Sequence, residues 1–260
     1  MNAVSAANRG EFINLCITLH TRWLGRCDQA KGVYEFIFYN EKDLSPRRVC
    51  VDRTVPVFAN SRGEYCYAYG WTGTAGELWL SLIEKAFAKL YGSYESIQYG
   101  YTAIGIANLT GKWPYSFTHS SFSRSPDARD DANVDAVWAK LVWMWNNGIV
   151  MGISWKVQSK AKDQGLLGRH AYSILSLYKD GSRRLVKIRN PHARGEWSGP
   201  GNESELLRMA PQALAALNIT EADDGNFTMY VESVAKYAEG IDGVDCFDGR
   251  LPPGRTRIAE

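Results

Sequence analysis

Residues 170–191 read HAYSILSLYKDGSRRLVKIRNP. Two runs of β-branched and aromatic residues flank Asp180-Gly181, a pair that tolerates the positive φ of a tight turn, so the stretch is expected to be a β-hairpin. If the turn centres on Asp180-Gly181, residue 170 faces residue 190 or 191. Directly opposed Cβ atoms lie roughly 4.5–5.5 Å apart, which makes His170 and Asn190 neighbours at the open end. With that turn they fall on opposite faces, so an odd loop length or a bulge near Gly181 is needed to bring them to one face.

A His beside an Asn amide at a strand mouth suits a papain-type proton relay. The Asn carbonyl fixes the imidazole tautomer, and the other ring nitrogen faces a cysteine and keeps it as thiolate. A structural His next to a turn-capping Asn before Pro191 accounts for the same spacing.

Around this hairpin the chain has 260 residues, with 45% hydrophobic, 22% charged and 12% aromatic content. That is enough to bury a core, and it excludes a dominantly disordered state. A net charge of +2 shows no nucleic-acid footprint. Cys16, Cys27, Cys50, Cys66 and Cys246 form no C-x-x-C pair and neither a zinc nor a disulfide pattern, which with no signal peptide leads to the expectation of an intracellular, cytoplasmic, reducing setting. Val134–Trp155 is apolar but broken by Lys140, Asn146, Asn147 and Gly148, so no transmembrane segment is expected. Sequons at Asn108, Asn202, Asn218 and Asn226 are read as chance.

Upstream, Val33–Tyr39 and Val49–Val57 are expected as a hairpin across a loop containing Asn40, Asp43, Ser45 and Pro46. AGELWLSLIEKAFAKLYG then carries Leu78, Leu82, Ala86 and Leu90 at helical spacing, with Glu77 in its first turn and Gly92 as the stop. The Gly- and Tyr-rich passage after it reads as a loop, with a lobe boundary near Gly111. A helix over about Asp130–Asn146 and a strand over Ile149–Val157 follow. Cys50 reads as strand core, and Trp79, Trp138, Trp143 and Trp145 as helix-borne core. Arg183, Arg184, Lys187 and Arg189 read as a solvated sheet face. From Phe247 on the chain looks like a linker or frayed end.

GLLGRHAYSIL, KIRNP, EWSG and ADDGNFTMYVESV, in that order, resemble the catalytic core of the calpain family. GVYEFIFY, VDRTVPV, ELWLSLIEKAFAKLYGSYESI and NLTGKW look like its first lobe. The resemblance runs from about Gly32 to Val234. It implies an α+β, papain-like architecture in two lobes: residues 1–111, N-terminally incomplete against the family, and 112–246, carrying the His/Asn pair, with 247–260 as a tail. It implies a polypeptide substrate or peptide ligand extended across the interlobe cleft, with His170 as general base and Asn190 as its orienting residue.

Two departures accompany it. The family's nucleophile stands in a Gly-x-Cys-Trp/Phe motif, with a Gln a few residues earlier, and a full helix and loop precede the strand matching VYEFIFY. Cys16, the candidate here, sits in FINLCITLH without that Gly, aromatic or Gln, and close to Val33; it also reads as a small buried hydrophobe. Cys27 has Asp28 beside it, which raises a thiol pKa. RNPHARGEW replaces the family's Asn-Pro-Trp-Gly, so His192 shields the pair less than Trp would. Calcium sites are implied too, with Glu77 in the first lobe and Glu196, Glu203 and Asp224 in the second, against a plain reading as solvated loop carboxylates. The functions in view are therefore a calpain-like endopeptidase with its nucleophile missing or displaced, a pseudoprotease binding peptides or partners, or another papain-type acyl transferase. The transferase is disfavoured because transglutaminases place Asp where Asn190 stands.

Overall fold

The computed structural model describes residues 32–71, 76–118, 133–156, 164–168, 170–193, 195–218, 224–252 and 254–258. These residues fall into two compact units, one ending at Gly111 and the other starting at Lys112.

In the first unit β1 (Val33–Tyr39) pairs antiparallel with β2 (Pro46–Asp52). The second strand starts three residues earlier than expected, since Pro46 can open a strand whose neighbour asks nothing of its missing N–H. A short ladder follows, β3 (Val57–Ala59) with β4 (Tyr65–Tyr67). Helix α1 (Trp79–Tyr91) ends at Gly92, whose φ of 101° few other residues adopt. Its N-cap is Leu78, so Glu77 lies just outside the helix and is exposed, not in the first turn.

The passage read as a loop contains helix α2 (Thr102–Thr110). Burial of Ile106, Ala107 and Leu109 outweighs the weak propensity of its Gly, Thr and Ile residues. Phe38, Val49, Val51, Ala86 and Leu109 make this unit's core. Asn108 is fully buried, bonded by Tyr91 Oη at 2.8 Å and donating to Tyr39 O at 2.7 Å, so that sequon is closed in the folded chain. Cys50 is exposed on β2, not in a strand core.

The second unit is built on a six-stranded antiparallel sheet. Its strands are β5 (Tyr115–Thr118), β6 (Ile149–Trp155), β7 (Ala171–Asp180), β8 (Arg183–Arg189), β9 (Asn226–Tyr230) and β10 (Ala238–Asp245), in the order β5-β10-β6-β7-β8-β9. Helix α3 (Val134–Asn146), capped by Asn133 Oδ1 accepting from Ala136 N–H, and α6 (Val231–Tyr237) cover one face. Their apolar sides meet Ile153, Tyr172, Ile174, Val186 and Ile188 in the main core. On the other face, Leu185 packs with Leu206, Ala210, Ala213 and Leu217 of the segment α4 (Glu203–Met209) and α5 (Pro211–Leu217).

Three expectations change in this unit. Lys187 is buried, its Nζ donating to Leu217 O and Asn218 O at 2.7 Å each, where α5 leaves carbonyls without intrahelical partners. Its stem crosses apolar surface while the ammonium finds fixed acceptors. Trp138 and Trp145 are core, but Trp143 is 38% exposed and stands edge-on to Tyr115. The segment after Phe247 is tied down: Trp145 Nε1 donates to Thr256 O, Ile258 N–H to Asn146 Oδ1, and Arg255 lies 3.9 Å over the Trp145 ring. Among the described residues no helix is long and apolar enough to cross a membrane.

Candidate active site

The hairpin at the centre of the sequence is present, but its register differs. Asp180 pairs with Arg183, so Gly181 and Ser182 form the turn. The bulge lies between Ile174 and Ser176, not near Gly181. Ile174 pairs with Ile188 and Ser176 with Lys187, which leaves Leu175 as the extra residue.

That extra residue sets the chemistry. Side chains alternate faces along a strand, so a one-residue shift reverses every position beyond it. Ser173 pairs with Arg189, and carrying that register on puts Tyr172 opposite Asn190 and His170 diagonal to it, on the same face. Without the bulge the two would face opposite sides of the sheet.

Asn190 is 1% exposed. Its Oδ1 accepts from His192 N–H at 3.0 Å, its Nδ2 donates to Gly195 O at 3.2 Å, and its backbone N–H donates to Gly225 O at 2.8 Å. Ala193 N–H closes the turn onto Asn190 O at 3.0 Å, with Ala193 at φ 53°, a left-handed conformation that costs a non-glycine residue about 1 kcal/mol. Gly165 lies against the backbone of Glu196, where a Cβ would come within 2.0 Å of its carbonyl oxygen. Ser198 N–H donates to Gln164 O beside it, so the segment before His170 is knitted to the one after Asn190.

His170 is half-buried. Tyr172 meets its ring edge-on at 5.2 Å, and His192 stacks on it at 4.4 Å with planes 8° apart. Burial, and then the charge of His192, draw its pKa below the ordinary histidine value, and the nearby Asn190 amide works the other way. Nε2 is buried without a hydrogen-bond partner of ordinary length and angle. The pair is therefore adjacent, with the Asn190 carbonyl engaged by the turn and Nε2 short of a formed bond. The role of His192 as a stacked neighbour had a signal in the sequence, the replacement of Trp after Asn-Pro. Its face-to-face placement had none.

Cys16 and Cys27 lie outside the described residues. Cys246 follows β10 at the end where Asp245 pairs with Ile149, whereas His170 precedes the end where Ala171 pairs with Ser154. The length of β6 separates them, roughly 17 Å at about 3.3 Å per residue.

The acidic loop residues hold backbone. Glu196 Oε1 accepts from Asp224 N–H and Gly225 N–H at 3.0 Å each. Glu203, 8% exposed, accepts from Thr228 N–H at 2.9 Å, and burial pushes its pKa up to about 7. Asp224 Oδ1 accepts from Asn226 N–H, and Glu77 belongs to the other unit. Among the described residues no three His, Cys, Asp or Glu side chains converge as a metal site requires.

The second unit thus brings a His and an Asn together at the mouth of an antiparallel sheet in an α+β chain. The chain belongs to the calpain family: the family model described as calpain family cysteine protease matches residues 7–243. It is similar to the calpain-type cysteine protease DEK1 of Zea mays, 31% identical over 69% of this chain and 8% of that protein. The calpain-type cysteine protease ADL1 of Oryza sativa subsp. japonica is 34% identical over 64% of this chain and 8% of its own length. Calpain-5 of Mus musculus is 26% identical over 82% of this chain and 35% of its own. The chain thus spans about a third or less of these relatives.

Proposed function

We propose that this chain carries the base side of a calpain-type thiol endopeptidase acting on polypeptides, with His170 as general base and Asn190 as the residue that orients it. The observation behind the reading is the bulge at Leu175, which turns His170 to the face of Asn190 at the sheet mouth. In the reaction, a cysteine thiolate attacks the scissile carbonyl carbon. The carbon–nitrogen bond breaks as the His170 imidazolium gives its proton to the leaving amine. Water then attacks the thioester, passing a proton to His170, and the acid leaves with the thiol restored. This chemistry uses no metal.

Cys16 is the thiol to test. Cys246 is at the wrong end of the sheet, and Cys27 stands next to Asp28. A second reading, a pseudoprotease that binds peptides, draws on the unbonded Nε2 of His170 and the engaged Asn190 carbonyl.

The full chain treated with an epoxysuccinyl peptide separates the two. Labelling of one cysteine that disappears in both Cys16→Ala and His170→Ala supports the endopeptidase. Peptide binding without covalent labelling gives the second reading.

A further inference from the structure

The rings of His170 and His192 are parallel at 4.4 Å, a contact the proton relay does not use. His192 is exposed, yet its backbone is fixed: its N–H is held by Asn190 Oδ1, and Ala193 is locked left-handed by its bond to Asn190 O. Asn190 thus fixes the turn that carries the His192 ring, next to His170 at the strand mouth.

From this geometry we infer that His192 is a positioning residue for His170, a stacked ring that supports a charged His170 when neutral and opposes it when charged.

A neutral aromatic face over a cation is favourable, and two cations at that separation are not. Unit charges about 4 Å apart in water-like surroundings disfavour the doubly charged pair by about fivefold, and by more where one ring is half-buried. The other groups around His170 do not mask this. From β7, Tyr172 presents its ring edge, and its hydroxyl accepts from Leu167 N–H. From the turn after β8 come only Asn190 and His192, and among the described residues no carboxylate or other cation acts on the ring. Arg169 and Arg194, neighbours in sequence, lie outside the described residues.

Protonation of His170 is therefore easier beside a neutral His192 ring than beside a charged one. The consequence for proteolysis rests on the reading of His170 as base: an imidazolium partner for the thiolate is favoured by a neutral ring stacked on it and opposed by a charged one. A tryptophan at position 192 keeps the stacked face and cannot carry the charge.

The test is an NMR pH titration of the full chain with labelled histidines, His170 being assigned by its absence in His170→Gln. Removing the second charge in His192→Gln and in His192→Ala is expected to raise the His170 midpoint by half a pH unit or more, a factor of about three to five in proton affinity. His192→Trp is expected to raise it likewise while keeping ring-current shifts on His170. A His170 midpoint unchanged in both His192→Gln and His192→Ala, with the remaining resonances in place, overturns the proposal. Because this readout needs no turnover, a chain that shows the coupling but no hydrolysis rejects the endopeptidase reading and leaves the coupling standing.

Discussion

At its turn the β7–β8 hairpin ends in Gly181 and Ser182, with Asp180 and Arg183 paired at 3.3 Å across solvent. At its mouth, beyond the bulge at Leu175, it ends in half-buried His170 and buried Asn190, whose polar atoms are committed to the turn that follows. Water can satisfy whatever the turn leaves unpaired. Nothing replaces a lost partner at the mouth, where a misplaced polar group carries its full desolvation penalty. Register errors are therefore cheap at one end and decisive at the other.

The largest break of that contrast is an alanine inserted between Ser173 and Ile174. It shifts every earlier β7 residue by one, sends His170 to the face opposite Asn190, and sets Tyr172 against the α4–α5 side. A loss of about 3–5 kcal/mol in urea denaturation is expected, comparable to other disrupted cores, together with loss of the His170–His192 ring contact by NMR. Stability within about 1 kcal/mol of the parent and an intact ring contact would show that the strand absorbs the added residue in a second bulge and that the mouth register is not fixed by strand length. A glycine inserted after Gly181, by comparison, lengthens only an exposed loop.

The same hairpin shows what sequence alone conveys. Asp180-Gly181 announces the reversal, and the β-branched and aromatic runs that flank it announce the strands, because both are local properties of the chain. The bulge is not local. Leu175 is an ordinary strand residue, and its extrusion follows from packing Ile174 and Leu177 on the same core face with Val186 and Ile188. Lys187 reads as solvated in sequence because its place among Arg183, Arg184 and Arg189 says nothing of the helix end waiting above it. Helix α2 was hidden by Gly105 and by Thr and Ile residues of weak propensity, which tertiary burial overrides. His170 and Asn190 were legible as neighbours. The stacking of His192 was not, since it depends on the left-handed turn at Ala193.

A second break concerns the carboxylates near the mouth side of the sheet. Glu203 has a pKa raised to about 7 by burial, against about 4.5 for an unperturbed Glu. Between those values the folded chain holds a proton that the unfolded chain releases. Its stability contribution is thus full below about pH 4.5, falls as pH rises through 7, and then levels. Glu203→Gln keeps an acceptor for Thr228 N–H and removes the titration. In buffer with a chelator, the variant is expected to match the parent near pH 5 and to exceed it by up to about 2–3 kcal/mol at pH 8. Equal pH slopes for the two proteins in that window would mean the group is charged and solvated in the folded chain.

The smallest effect belongs to the turn. Arg183 and Asp180 keep 27% and 47% of their side-chain surface in water, so screening and side-chain entropy offset most of their attraction. Arg183→Ala is expected to shift stability by less than about 0.5 kcal/mol, and less still in high salt. It is also expected to leave the His170 titration where it was, since the change lies at the far end of both strands. A shift in that titration from Arg183→Ala would mean that the hairpin transmits strain along its length, and the two ends could not then be treated as independent.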